Sequence, residues 1–135
     1  MHFDLVDRVL EQSAERIVTI KAVTSAEEYL QDHFPTFPVL PGVLMLEAMV
    51  QAGRRLLAGR DAACSRHVLG GVRALKYGTF VRPGDRMMIE VAIVKAGENG
   101  VYELKGSGQV RRVEASGDES SATCVSGRFT LRPVA

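Results

Sequence analysis

The stretch HFPTFPVLPGVLMLEAMVQAG, from His33 to Gly53, decides the fold of this protein. Its first half carries prolines at positions 35, 38 and 41, and its second half is almost wholly apolar. A proline ring fixes its own φ angle and disfavours the helical conformation in the residue before it. The first half therefore predicts a stiff loop, and the second half predicts a long helix.

The predicted helix begins at Pro41 or Gly42, because a proline is tolerated in a first turn, where its missing N–H is not needed. It runs to about Leu57, and Gly59 fits a C-terminal stop. Apolar residues lie on every side of this helix, which is the pattern of a buried helix. We therefore expect the helix to form the centre of the core.

Glu47 is the one carboxylate inside the apolar segment. Burial of an ionised carboxylate without partners is costly, so its presence needs a reason. Gln51 lies four residues further on, on the same helical face, and can donate a hydrogen bond to it. Two interpretations stay open: a structural glutamate satisfied by Gln51, or a group kept for chemistry.

His33 and Gly42 favour the chemical interpretation. A loop histidine is usually a surface residue, but one held rigidly near a buried carboxylate can exchange protons near neutral pH. The first N–H groups of a helix have no internal acceptor and carry partial positive charge. At Gly42 a carbonyl can approach them closely, which predicts an oxyanion site. Glu47 would lie roughly 7 Å further along the helix axis.

The rest of the chain predicts mainly strands, and no internal repeat is found. Asp4 to Glu15 predicts a short helix or turn, Ser25 to Asp32 one helical turn, and 115–121 a loop. Alternating or β-branched residues predict the strands, and Gly97 to Gly100 predicts a hairpin loop. The strand segments are 16–23, 67–75, 86–95, 102–111 and 122–131. One helix with these antiparallel strands is an α+β pattern, with the sheet wrapped around the helix.

Length and composition exclude several classes of protein. The 135 residues predict one domain over positions 1–135. Seventeen basic against sixteen acidic residues give a net charge of +1, a poor basis for nucleic-acid binding. The sequence contains neither a signal-peptide pattern nor an apolar run long enough for a membrane span, which predicts a cytoplasmic protein.

The metal-ligating and thiol side chains predict no metal centre and no redox site. His2, His33 and His67 are dispersed, without HxH or HExxH spacing. Cys64 and Cys124 form no CxxC motif and are expected to be reduced structural thiols. We also expect no organic cofactor.

The stretch around His33 resembles the signature of the FabZ-type 3-hydroxyacyl-acyl carrier protein dehydratases, H-F-P-x-x-P-x-x-P-G-V-L-x-x-E-A-x-x-Q. A second segment, LKYGTFVRPGDRMMIEVAIVKAGENGVYELKGSGQV, resembles the region of that family in which a strand leads to a Pro-Gly-Asp turn and two long strands. The positions in register with the signature are His33, Phe34, Pro35, Pro38, Pro41, Gly42, Val43, Leu44, Glu47, Ala48 and Gln51.

The resemblance implies a hotdog fold, in which a curled antiparallel sheet wraps one long helix. It implies a lyase of fatty-acid or related acyl-chain biosynthesis that converts a 3-hydroxyacyl thioester into the trans-2-enoyl thioester. The acyl chain would arrive on the phosphopantetheine arm of an acyl carrier protein. It further implies a homodimer with active sites at the subunit interface, and a hexamer built as a trimer of dimers is left open.

The resemblance also assigns roles to residues of this chain. His33 and Glu47 would be catalytic, with His33 of one subunit facing Glu47 of the other. Gly42 and Val43 would receive the thioester carbonyl, and Gln51 would orient Glu47 or hold a water beside it. Glutamate rather than aspartate at position 47 favours the branch of the family that does not isomerise the double bond.

Two alternatives remain open at the sequence level. One is an acyl thioesterase on the same fold, in which Glu47 activates water. The other is a non-catalytic acyl-binding or partner subunit that keeps the pocket for structural reasons. The acyl chain length and the carrier protein do not follow from the sequence.

Overall fold

The computed structural model describes residues 3–134, and of Ser65 the backbone alone, so His2 lies outside the described residues. A single long helix packs there against a six-stranded sheet, which confirms the predicted α+β hotdog architecture. None of the helices described is long and apolar enough to cross a membrane. The elements are β1 Arg8–Gln12, β2 Arg16–Ala22, α1 Gly42–Arg60, β3 Val68–Tyr77, β4 Arg86–Ala96, β5 Tyr102–Val113 and β6 Glu119–Arg132.

The sheet has the strand order β1-β2-β4-β5-β6-β3, and all neighbouring strands are antiparallel. The two-residue alternation predicted for β5 is confirmed, because Leu104, Gly106, Gly108 and Val110 are buried while the residues between them are more exposed. The two edges of the sheet are β1 and β3, so the ten-residue strand β3 pairs on one side only, with β6.

Helix α1 lies across the concave face of the sheet and contacts β2, β4, β5 and β6. Met49 and Leu56 of the helix are fully buried in one core with Leu104 and Phe129 of the sheet. Glycine in β5 lets the helix come this close: a Cβ atom at Gly106 would lie 2.6 Å from Met49 Sδ. The pairing of a large helical side chain with a sheet glycine therefore sets the depth at which α1 sits.

The prediction of a helix or turn over Asp4 to Glu15 is wrong for its middle part, where β1 forms over Arg8–Gln12. The five residues of β1 are all exposed and pair with β2, with a bulge between Val9 and Glu11. The segment suggests a helix because Leu5 and Val9, and Val6 and Leu10, are four residues apart, but this spacing is coincidental. Leu5, which falls within the same predicted helix, is buried in the core ahead of the strand.

The boundaries of other elements differ from the predictions by a few residues. Helix α1 continues to Arg60, so Gly59 is not its stop; a Cβ at Gly59 would lie 2.7 Å from Gln12 Nε2 of β1. The turn before the His33 loop is a 3-10 helix over Glu28–Leu30 without a side-chain cap. Residues 98–100 form another 3-10 turn, and β6 already begins at Glu119.

The expectation that α1 is buried on every side is also wrong. The sheet covers one side of the helix, whereas Val43 is 67% exposed and Leu44 and Leu46 are only partly buried. Within residues 3–134, nothing packs fully over this second apolar side. The apolar pattern predicts the helix correctly, but a single chain supplies cover for only some of its surface.

A buried ion pair fixes the turn that supports the His33 loop. Asp85 is 4% exposed and accepts two hydrogen bonds from Arg112, at 2.9 Å from Nε and 2.8 Å from Nη2. Its Oδ2 also accepts from the backbone N–H of Arg82 at 2.8 Å. The hydrogen bonds to Asp85 raise the pKa of the Arg112 guanidinium and outweigh burial, which opposes its charge. The neighbouring residue Val81 accepts a backbone hydrogen bond from Leu40, so the turn and the loop are tied together.

We expect Asp85→Ala to lower the free energy of unfolding by about 3 kcal/mol, because it leaves the charge of Arg112 without its partner and removes the acceptor of the Arg82 N–H. Urea denaturation followed by circular dichroism measures this. Glu11→Ala is the matched control, since Glu11 pairs with Arg16 on the surface and such pairs contribute about 1 kcal/mol or less. Equal losses in the two variants would contradict the role assigned to Asp85.

Candidate active site

The imidazole of His33 is held by the loop that it opens. Its Nδ1 lies 2.9 Å from the carbonyl oxygen of Val39. A carbonyl can only accept, so Nδ1 carries the hydrogen and donates it. In the neutral ring Nε2 then carries the lone pair, and this is the tautomer that can take up a proton at Nε2. The ring also stacks on Phe34, with 4.5 Å between ring centroids.

The loop itself is closed by backbone hydrogen bonds. Phe34 and Phe37 exchange N–H to carbonyl bonds at 3.2 and 3.1 Å, and the N–H of Val39 donates to the carbonyl of His33 at 2.8 Å. Leu40 donates to Val81 at 2.7 Å, which anchors the far end of the loop to the sheet side. These bonds restrict the loop in addition to the prolines from which its stiffness is predicted.

The N-terminus of α1 presents free donors. Within residues 3–134, no acceptor is found for the backbone N–H of Gly42 or Val43, whereas those of Leu44 and Met45 both donate to the carbonyl of Pro41. Tyr77, the last residue of β3, lies against this tip: a Cβ at Gly42 would be 2.8 Å from its Cζ. Glycine at position 42 is thus needed for the contact with Tyr77, a role that the sequence did not indicate.

Glu47 is bound through one of its two oxygens. Its Oε1 accepts from Gln51 Nε2 at 3.2 Å, as the spacing predicted, and from Arg54 Nη2 at 3.3 Å. Among the described residues Oε2 has no hydrogen-bond partner. The expectation that this carboxylate is buried is wrong for the single chain, because its side chain is 39% exposed on the side of α1 that the sheet leaves open.

Gln51 joins Glu47 to the beginning of the chain. Its Oε1 accepts from the N–H of Leu5 at 2.8 Å, and its Nε2 donates to the carbonyl of Phe3 at 2.8 Å as well as to Glu47. These contacts fix which end of the amide is oxygen and which is nitrogen. Both N–H groups of the amide are used, so Gln51 orients the carboxylate and leaves no free donor for a water.

The chain brings together some of the predicted site residues and keeps others apart. Gly42 and Val43 form the helix tip, and Glu47 and Gln51 form a bonded pair on the same helix. His33 makes no hydrogen bond or ion pair with Glu47 among the residues that the structure describes. Sequence reasoning missed Arg54, although its position seven residues after Glu47 places it on the same helical face.

Exposed apolar side chains surround the helix tip and the loop. Phe37 packs edge-on against Phe80 at 6.2 Å between centroids, and Arg82 lies 5.8 Å from the centre of the Phe37 ring. More than a third of the surface of Phe34, Phe37, Tyr77 and Phe80 is exposed. Apolar surface concentrated at one place is typical of a binding surface rather than of solvent-facing protein.

The thiols take no part in this arrangement, and its acidic and histidine side chains form no metal centre among the described residues. Cys64 and Cys124 are free and buried, as expected for structural thiols. Burial raises the pKa of the Cys124 thiol to about 11, which keeps it protonated and unreactive. Among residues 3–134 no group of three histidine, cysteine, aspartate or glutamate side chains could hold a metal ion.

Comparison with known proteins identifies relatives of this chain. Residues 1–114 match the family model of the FabA-like domain. A 3-hydroxyacyl-[acyl-carrier-protein] dehydratase FabZ of Oenococcus oeni is 45% identical over 97 residues, which cover 70% of each chain. The FabZ dehydratase of Caldanaerobacter subterraneus subsp. tengcongensis is 37% identical over 123 residues, covering 90% of this chain and 82% of the relative.

The solved structures support the fold. A hexameric hotdog fold thioesterase of Campylobacter jejuni, Cj0915, superposes with a TM-score of 0.68 over 86% of this chain and 80% of that one. The two sequences are 20% identical, so this likeness concerns the hotdog fold alone. The matched family model and the FabZ relatives decide the family: the chain belongs to the FabA-like family, among its FabZ-type 3-hydroxyacyl-[acyl-carrier-protein] dehydratases.

Proposed function

We propose that this chain dehydrates a 3-hydroxyacyl thioester, presented by an acyl carrier protein, to the trans-2-enoyl thioester. The observation that carries the proposal is the bond from His33 Nδ1 to the Val39 carbonyl, which leaves Nε2 as a proton acceptor. The relatives named FabZ support the substrate class. We propose no cofactor, because elimination beside a carbonyl needs only a base, an oxyanion site and help for the leaving group.

In the proposed mechanism, His33 Nε2 takes a proton from the carbon next to the thioester carbonyl. The electron pair moves to the carbonyl oxygen, and the N–H groups of Gly42 and Val43 stabilise the oxyanion. When the carbonyl re-forms, the bond to the β-hydroxyl breaks. The imidazolium of His33 then gives this proton to the departing hydroxyl, so the products are the enoyl thioester and water and the neutral imidazole is restored.

Glu47 is assigned to the β-hydroxyl, from which its carboxylate accepts a hydrogen bond that orients the hydroxyl for departure. Its Oε1 is occupied by Gln51 and Arg54, so Oε2 is the oxygen available to the substrate. Gly42 and Glu47 are roughly 7 Å apart along the axis. The substrate would bridge this distance with its carbonyl bonded to the helix tip and its hydroxyl bonded to Glu47. Gln51 acts through Glu47, since both N–H groups of its own amide are already used.

We further propose that two copies of the chain pair through the free edge of β3. A ten-residue unpaired edge is a site for strand pairing, and a second copy can satisfy it symmetrically. Such a partner would cover the open side of α1, where Val43 and Glu47 are exposed. The dry site that the elimination needs would then form between subunits, with His33 of one facing Glu47 of the other.

Several broader assignments belong to the same proposal. Residues 1–135 would act as one hotdog domain, and further assembly of dimers into a hexamer stays open. We assign the reaction to the cytoplasm, supported by the free thiols of Cys64 and Cys124, which suit a reducing compartment.

His33→Ala and Glu47→Gln should each lower kcat for dehydration by roughly 100-fold or more, because the first removes the base and the second removes the charged acceptor that holds the β-hydroxyl. Purified protein is incubated with a 3-hydroxyacyl thioester, and the enoyl product is followed by its ultraviolet absorbance. Glu11→Gln, a change of the same chemistry on exposed β1, is the control and should keep full activity. Release of free thiol without enoyl product would show that the chain hydrolyses the thioester instead of dehydrating it. Substrate binding without any turnover would indicate a binding subunit.

Mixing the two inactive variants tests the shared site. If each site combines His33 of one subunit with Glu47 of the other, a mixed dimer contains one intact site and one doubly altered site. Unfolding and refolding at a 1:1 ratio should therefore restore about a quarter of the wild-type activity, since half the dimers are mixed and half their sites are intact. A site built within one chain predicts no recovery, and size-exclusion chromatography checks that dimers formed.

A further inference from the structure

Arg54 is the charged partner of Glu47, and the proposed mechanism gives it no role of its own. It lies seven residues after Glu47, hence on the same face of α1, together with Gln51 between them. Side chains on a helix lean toward its N-terminus, so a long side chain at position 54 reaches back toward Glu47. Its Nη2 lies 3.3 Å from Glu47 Oε1.

The ion pair is a poor candidate for a stabilising device. The side chains of Arg54 and Glu47 are 35% and 39% exposed, and exposed pairs of this kind add little to the stability of a fold. Glu47 is already held by Gln51, whose amide is fixed in turn by the backbone of Phe3 and Leu5. The effect of Arg54 must therefore be sought in the charge and direction of the carboxylate.

Both consequences concern the reacting atoms. Because Arg54 and Gln51 share Oε1, they turn Oε2 away from the bonded side and leave it for the β-hydroxyl. The oxyanion would form at the helix tip, roughly 7 Å from Glu47 along the axis. A bare carboxylate at that distance opposes the developing negative charge, and a guanidinium bound to it reduces the opposition. This repulsion grows only as the oxyanion forms, so relief of it acts on the transition state rather than on substrate binding.

We propose that Arg54 is a positioning residue for the dehydration, a counter-ion that fixes Glu47 through Oε1 and offsets its charge during oxyanion formation. The inference rests on the proposed function. Arg55, the next residue, offers a matched comparison: it is an exposed arginine of the same helix, and its side chain makes no polar contact among the described residues. A change of net charge alone would affect the two positions alike.

The test compares Arg54→Met, Arg54→Lys and Arg55→Met with wild type in the enoyl absorbance assay. Arg54→Met should lower kcat by about tenfold with KM within about twofold of wild type, as expected for a group that acts through a catalytic residue. Arg54→Lys should recover most of kcat because it restores the cation, and Arg55→Met should match wild type. Thermal unfolding midpoints of all variants should agree within about 2 °C, since surface charges contribute little.

The outcomes separate this inference from the function on which it rests. If wild type and Arg55→Met produce no enoyl thioester, the proposed dehydration fails and the role of Arg54 with it. If wild type is active and Arg54→Met has the same kcat as Arg55→Met, the positioning role alone is overturned. A rise in KM with unchanged kcat would also overturn it, because Arg54 would then contribute to binding. Should Arg54→Met unfold, the folded Arg54→Lys variant decides: a kcat as low as that of Glu47→Gln contradicts a role based on charge.

Discussion

A helix that is apolar all round but covered on one side only is the constraint on which the rest of the structure depends. The sheet can curl over α1 because β5 has glycine where the helix brings its largest side chains, as at Gly106 opposite Met49. Within residues 3–134, the sheet covers this side of the helix and no element fully covers the other. The opposite side of the helix, with Val43 and Glu47, stays partly exposed.

The proposed chemistry follows from that uncovered side. Oxyanion donors at a helix tip and a carboxylate further along the same helix share one rigid element, so their separation is fixed by helical geometry rather than by loops. The histidine belongs to a separate loop, held by its own backbone bonds and by the turn around Asp85. Rigid supports of this kind keep reactive groups in place without contributing to the reaction themselves.

Local patterns made much of this fold predictable. The start of α1, the alternation of β5 and the pairing of Glu47 with Gln51 each follow from spacing within a few residues. Strand β1 could not be found in this way, because its residues are exposed and only the free edge of β2 makes them a strand. The apolar pattern of α1 likewise does not indicate whether the same chain covers each side of the helix. The anchor of His33 is a backbone carbonyl, and any residue at position 39 would supply one.

The side-chain amide of Gln51 makes three hydrogen bonds, one with a donor and two with acceptors. It must accept from an N–H at Leu5 and donate both to a carbonyl at Phe3 and to a carboxylate at Glu47. Glutamate has the same shape but would lose both donors, methionine would lose all three contacts, and asparagine lacks one methylene of reach. Since the contacts to residues 3 and 5 involve main-chain atoms, these hydrogen bonds do not depend on the side chains there. The attachment of the leading segment to the helix is therefore independent of its side chains, and what restricts its sequence is packing, as at Leu5 in the core.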